Sequence, residues 1–352
     1  MHMADALLAP AVAATMYAAT TATAGVSIFN IKKEYSLVSE DNLKKLPTMA
    51  VMSALVFAGQ MINYTIPGTG SSGHICGGVM LSALLGPWAA FLSMIAVLLI
   101  QCLFFADGGL MALGANVWNM AFYGCILGYF LLFKPIVSGK LMGKVNARTR
   151  IIIASILTCI ITLQMGAFSV VLETSASGIT ELPFSAFVAL MQPIHLAIGL
   201  VEGLATAAIL VFVYENRPEM IECANESKEG RASFKTTLLI LAIAACVIAG
   251  IMSQFASSHP DGLEWSLFGN EEEGYAANMG LDEENFGVES QFAVNAQSIQ
   301  DKTAFLPDYA FAEDEDNRLG TTVSGLVGSL MVAVFAAFIC LAGRLFRVKK
   351  QA

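Results

Sequence analysis

IPGTGSSGHICGGVMLSALLGP, residues 66–87, decides how this chain is threaded. A glycine- and hydroxyl-rich half, GTGSSG, runs into an apolar half that the Gly86-Pro87 pair stops, since proline cannot continue a helix. The apolar half, HICGGVMLSALLG, reaches only ~18 Å at 1.5 Å per residue. The hydrocarbon core of a bilayer is ~30 Å thick. If this piece crosses a membrane, the loop before it must dip inward and present His74 at depth. Backbone outside a helix is tolerated there only when it is buried in protein or lines a cavity.

The rest of the chain makes the membrane the right solvent. Of 352 residues, 56% are hydrophobic and 13% charged, and the mean hydropathy is +0.66. These values describe an integral membrane protein. Apolar runs of spanning length lie near 9–30, 48–66, 88–106, 116–134, 150–172, 187–214, 236–255 and 322–343. Basic residues collect on the cytoplasmic side of such proteins. Here they form four clusters: Lys32, Lys33, Lys44 and Lys45; Lys134, Lys140, Lys144, Arg148 and Arg150; Arg217, Lys228, Arg231 and Lys235; and Arg344, Arg347, Lys349 and Lys350. Placing all four inside puts Met1, the 67–75 loop and the start of the 116–134 run outside. The chain between 75 and 115 must then cross an even number of times. Eight runs break that parity, and the short segment 74–86 restores it as a ninth. The expected fold is an all-α integral membrane protein with about nine transmembrane helices, its N-terminus extracytoplasmic and its C-terminus cytoplasmic.

The N-terminus, MHMADALLAP, supplies unusual chemistry. It lacks the basic start and cleavage site of a secretory signal, so Met1 is expected to stay on the chain. The Met1 amine, the His2 amide once deprotonated, and His2 Nδ1 close a five- and then a six-membered chelate ring. The planar peptide forces these donors toward one plane with one position open. An all-nitrogen planar field suits Ni(II) or Cu(II) better than Zn(II). His74, carried by the dipping loop, is the candidate fourth donor. The seven cysteines show no C-x-x-C spacing and lie mostly in apolar runs, which reads as small buried hydrophobes rather than a disulfide framework. The 17 methionines are spread through apolar runs, as core filler would be.

Other polar groups fall in or near the expected membrane region, where they are costly and often functional. His195 and Glu202 sit seven apart on one helix face. Three readings are open for them: a structural hydrogen-bonded pair, a contact to a coupling partner, or an ion transit site. Asn116 and Asn119 either orient His74 or cap a helix start. Ser72 is a further candidate neighbour of the ion or its path. Asp5 is a candidate stabiliser of the inserted N-terminus, and Asp107 a candidate for its mouth. Segment 256–320 differs from the rest, with fifteen acids against Lys302 and Arg318. It reads either as a solvated polar domain or as an electrostatic collector of cations. No G-x-x-x-x-G-K-[ST] loop occurs, so no nucleotide is expected on this chain. Nothing points to nucleic acid.

MHMADALL, IPGTGSSGHICGG, GPWAAF, LIQCLFFADGGLMALGANVWNMAF and HLAIGLVEG together resemble the CbiM/NikM substrate-capture components of energy-coupling factor transporters for cobalt and nickel. PDGLEW at Pro260–Trp265, LPDY at Leu306–Tyr309 and their flanking helices resemble the small companion component, CbiN/NikN, fused to the same chain. The resemblance implies a seven-helix capture domain over residues 1–220, a cytoplasmic linker over 221–235, and a two-helix module over 236–352 flanking the extracytoplasmic loop 256–320. It implies Ni2+ or Co2+ held by Met1, His2 and His74 as transported substrate. The implied partners are a transmembrane coupling subunit and two cytoplasmic ATPase subunits in a prokaryotic cell membrane. The resemblance implies no enzymatic activity. The alternatives are a stand-alone channel or secondary transporter, and a membrane metalloenzyme. A four-nitrogen planar set without an adjacent acid disfavours the enzyme.

Overall fold

A computed structural model describes residues 1–34, 40–179, 183–221, 223–224, 230–271, 274, 281, 286–288, 290–311 and 318–348, with the side chains of 32–43 and 342–348 outside the description. Lys228, Lys349 and Lys350 of the basic clusters, and the acids at 272–273, 282–284, 289 and 313–316, therefore lie outside the described residues.

Helix α1 spans Pro10–Glu34 and α2 spans Glu40–Gln60. Strands β1, Tyr64–Ile66, and β2, Ser71–Gly73, follow as an antiparallel hairpin with Tyr64 opposite Gly73 and Ile66 opposite Ser71. Next come α3, Gly78–Leu85, and α4, Pro87–Phe105. Helix α5 covers Leu113–Val137, most of it wound as a π-helix over Trp118–Phe133. Helices α6, Ala147–Ala176, and α7, Phe184–Asn216, form a long packed pair. After them come α8, Phe234–Gly250, the short α9, Gly262–Phe268, α10, Gln291–Thr303, and α11, Arg318–Val348.

Nine of these helices fall where the nine segments were predicted. Six of them, α1, α4, α5, α6, α7 and α11, are long and apolar enough to cross a membrane by themselves, and α8 is a shorter apolar helix. Helix α2 carries Pro47 near its start. Helix α3 is shorter than the sequence suggested, because the predicted segment began at His74 and the helix begins at Gly78. Gly77 has φ +81° and sits at the helix N-cap, a left-handed conformation that glycine adopts without a Cβ penalty. Eight residues rise about 12 Å. Every one of them is buried, so protein rather than lipid surrounds this short piece. The GTGSSG segment before it forms the turn and second strand of the hairpin instead of an irregular loop.

The helices invert the soluble pattern. On α7, Leu196, Leu200 and Leu204 are exposed at four-residue spacing, while His195, Glu202 and Thr206 face inward and are buried. Leu330, Val334 and Phe338 form a similar exposed stripe on α11. Apolar surface faces outward and polar groups inward, as a bilayer requires. Helix α11 packs on α2, α4 and α8, so the C-terminal helices join the bundle wall.

Candidate metal centre

The N-terminus is threaded into the protein. Met1, Met3, Leu7 and Leu8 are all buried. The Asn116 side chain grips Met3 at two points: its Oδ1 accepts the Met3 N–H at 2.7 Å and its Nδ2 donates to the Met3 carbonyl at 3.1 Å. The Gly109 N–H also donates to that carbonyl, at 2.9 Å. Asp5 Oδ1 accepts the Ala112 N–H at 2.9 Å. Asn119 lies further in, donating to Glu173 Oε2 at 2.8 Å and to Met3 Sδ at 3.7 Å. The two asparagines thus hold the N-terminal strand; neither orients His74 and neither caps a helix, as α5 has Ala112 at its N-cap.

This threading brings His2 against His74. Their rings stack with centroids 5.3 Å apart and planes 17° apart. His74 Nδ1 lies 3.1 Å from the Ile75 carbonyl, which can only accept, so Nδ1 carries the proton and Nε2 presents its lone pair. A hydrogen bond on the far nitrogen is how a ligating histidine is usually oriented. His74 Nε2 and His2 Nε2 are both buried without a hydrogen-bond partner. Burial, reinforced by the nearby N-terminal ammonium, pushes His2 down to about 3 and His74 down to about 4. Both rings are neutral at physiological pH, the form that binds metal.

Two carboxylates face the remaining donors. The Met1 amine donates to Asp261 Oδ2 at 3.0 Å, and His2 Nδ1 lies 3.0 Å from Asp107 Oδ1. Burial opposes the charged amine, but the Asp261 carboxylate, with Asp107 beyond it, outweighs burial and holds the ammonium above its usual range. Burial likewise opposes the Asp261 carboxylate, and the N-terminal ammonium holds it well below the usual carboxylate range. The chelate read from the sequence needs His2 Nδ1, so Nδ1 must exchange Asp107 for the ion. Among the described residues no three His, Cys, Asp or Glu side chains are gathered as a metal site. A planar nitrogen set here would have to draw on the backbone.

The polar groups of α7 divide. His195 Nδ1 bonds the Met191 carbonyl at 2.7 Å, and its ring lines a small cavity of about 10 Å3 together with Met1, His74, Cys76 and Asp261. Glu202 accepts the Cys76 and Gly77 N–H groups, each at 2.9 Å. The two share a helix face as their spacing required, but each bonds backbone rather than the other. Glu202 fixes the turn that leads from His74 into α3.

The described residues of segment 256–309 cover the site, which the sequence did not foretell. The Ser72 N–H donates to the Pro260 carbonyl at 2.8 Å and its hydroxyl to the His259 carbonyl at 2.8 Å, so it fastens the hairpin to this cover. The Val288 N–H reaches the Ala6 carbonyl at 2.8 Å. Gln300 donates to the Cys102 and Gly108 carbonyls, and the Tyr309 hydroxyl donates to Asp107 Oδ2 at 2.5 Å. Between this cover and the bundle lies a cavity of about 530 Å3, lined by His2, His74, Asp107, Asp261, Glu264 and Asp308 among others. Asp261 was missed because nothing local marks it. The available signal was that an acidic segment had been placed on the same side as Met1 and His74.

The pattern of the family described as "Cobalt uptake substrate-specific transmembrane region", CbiM, matches residues 2–220, and that of the PDGLE domain matches residues 235–345. The fused nickel transport protein NikMN of Rhodobacter capsulatus is 29% identical over 370 residues, covering 100% of both chains. The cobalt transport protein CbiM of Sorangium cellulosum is 32% identical over 176 residues, 50% of this chain and 76% of its own. A solved structure titled as a truncated transition metal transporter superposes with a TM-score of 0.50 at 29% identity, covering 61% of this chain and 99% of that one. These relatives are named as transport proteins, not enzymes. A buried N-terminus meeting a loop histidine at one end of a membrane bundle, under a cover carrying PDGLEW, thus coincides with matches over nearly the whole length: the chain belongs to the CbiM family of substrate-specific transmembrane transport components and carries a fused PDGLE domain.

Proposed function

We propose that this chain captures Ni2+ or Co2+ as transported substrate, using the Met1 amine, the His2 amide and ring, and His74 Nε2. The observation that carries the reading is the face-to-face approach of His2 and His74, with His74 Nε2 buried and unpartnered beside the Met1 amine. When the ion enters, the ammonium and the His2 amide would each lose a proton, and the ring proton of His2 would move from Nδ1, where it faces Asp107, to Nε2, so that Nδ1 could bind the metal. One negative charge on the amide leaves the loaded centre at about +1. Asp107 and Asp261 are the carboxylates nearest that charge.

The chain is a multi-pass membrane component of cobalt or nickel transport. In the finer reading, residues 1–220 form the capture domain, 221–235 a cytoplasmic linker and 236–352 the companion module. The N-terminus faces the extracytoplasmic side. Energy comes from two cytoplasmic ATPase subunits acting through a transmembrane coupling subunit. The absence of a phosphate-binding loop in the sequence supports that division of labour.

Titration of the purified full chain with Ni(II) and with Co(II) tests the site. His74→Ala is expected to abolish high-affinity binding, and unchanged affinity would overturn the assignment. Uptake into liposomes tests the partnership: the chain alone should move no metal, and transport without ATPase partners would mark a stand-alone channel or secondary transporter.

A further inference from the structure

Asp261 is placed with unusual firmness. Its Oδ1 accepts the Leu263 and Glu264 N–H groups at 2.8 and 2.9 Å, capping α9, and the Glu264 side chain answers on the Asp261 N–H at 3.3 Å. This reciprocal capping box fixes the carboxylate's direction. The other oxygen, Oδ2, is left for the Met1 amine. The loop carrying Asp261 is itself tied down on the site, through Pro260 and His259 on Ser72 and through Asn270 on the Gly70 carbonyl at 2.7 Å. Asp107, the carboxylate on His2, is aimed in the same way by Tyr309. Both carboxylates touching the N-terminal donors are therefore set by the C-terminal module, one directly and one through a tyrosine.

We infer that Asp261 is a positioning residue for the metal-binding amine, so that the capture centre is split between the two modules of the chain. The inference rests on the capture reading above. An amine that coordinates a metal still carries two N–H bonds. Asp261 Oδ2 accepts one of them as well as it accepts an ammonium N–H, and so keeps the amine aimed before and after the ion arrives. Groups that orient metal ligands in this manner typically change affinity by ~10–100-fold when replaced. Asp261→Asn keeps the side chain's shape and an oxygen for the helix cap, but turns an NH2 donor toward the amine, which is also a donor.

The test compares the full chain, Asp261→Asn, Glu264→Gln and His74→Ala by titration with Ni(II) and Co(II). In parallel, an amine-acylating reagent is applied without metal and modification of the Met1 amine is read by mass spectrometry. Glu264→Gln keeps an amide oxygen for the Asp261 N–H, and so keeps the capping box, while removing a second negative charge from the same cavity; it controls for a general loss of charge. The expected result is about 10–100-fold weaker binding of both ions by Asp261→Asn, faster acylation of its Met1 amine, and wild-type behaviour of Glu264→Gln. Wild-type affinity in Asp261→Asn alongside lost binding in His74→Ala would overturn this inference and leave the capture reading intact. Equal weakening by Asp261→Asn and Glu264→Gln would also overturn it, since the cavity's overall charge rather than the Asp261 contact would then matter. Wild-type affinity in both Asp261→Asn and His74→Ala would overturn the capture reading itself.

Discussion

His2 and His74 lie face to face, ring centroids 5.3 Å apart, although one is the chain's second residue and the other follows the second strand of a hairpin. A metal bridging them links the chain end to the loop, and any change that displaces either partner should open that link.

Adding one glycine ahead of Met1 moves the amine off Asp261 and makes histidine the third residue. Such an N-terminus can fill a plane with its amine, two amides and the imidazole, and so binds Ni(II) without His74. Metal uptake in cells carrying the full partner set should then be lost, while a C-terminal tag leaves it intact. Normal uptake with the extension would show that the amine is not a ligand.

Acidity gives a second check. A histidine with its ordinary value near ~6.5 would make affinity level off above that pH. Here burial and the ammonium depress His2 to about 3 and His74 to about 4, so imidazole protonation does not limit binding near neutrality. The Met1 ammonium is shifted the other way, upward, and must lose its proton. Affinity should therefore keep rising from pH 6 to 8, with about two protons released per ion, one from the amine and one from the amide. Calorimetry in buffers of different ionisation enthalpy counts those protons, and a plateau above pH 6.5 would contradict this.

Gly109 leaves no room for a side chain. A Cβ there would stand 1.8 Å from Asp5 Oδ1 and 2.5 Å from the Asp5 nitrogen. Overpacking of this kind costs about 1–3 kcal/mol, or roughly 5- to 150-fold in an equilibrium. Gly109→Ala should weaken Ni(II) binding by about that factor, because the N-terminal strand cannot seat. Gly25→Ala, where nothing lies within 4 Å, should bind normally.

Glu202→Ala strands two buried N–H groups, those of Cys76 and Gly77, at about 1–3 kcal/mol each. The melting temperature in detergent should fall and metal affinity with it, since the turn behind His74 loses its anchor. Glu202→Gln keeps an acceptor and should recover part of both. A melting curve unchanged by Glu202→Ala would show the turn to be held by other contacts.

The sequence exposed the nine-helix plan through composition, basic clusters and parity, and parity alone located α3. What it hid was local or remote in a specific way. GTGSSG carries no alternating pattern, so its role in a hairpin depends on pairing with Tyr64–Ile66. The helical spacing of His195 and Glu202 placed them on one face correctly. Their partners were invisible because both bond backbone groups, which leave no trace in residue type. Asp107 was legible as a group near the mouth. Asp261 was quoted within PDGLEW, but its contact to Met1 joins the first residue to a distant loop, and no local period reports that.

Fusion changes the economics of assembly in the membrane. The bundle's last capture-side helix ends at Asn216 and the next begins at Phe234, so a short tether carries the covering loop to its seat. Joining two binding partners in one chain sets an effective local concentration in the ~mM range. A separately encoded cover would instead have to arrive by lateral diffusion, and its occupancy would fall when either chain is scarce. In this chain one cover accompanies every bundle, whatever the expression level, so the fraction of covered bundles should be independent of how densely the protein populates the bilayer.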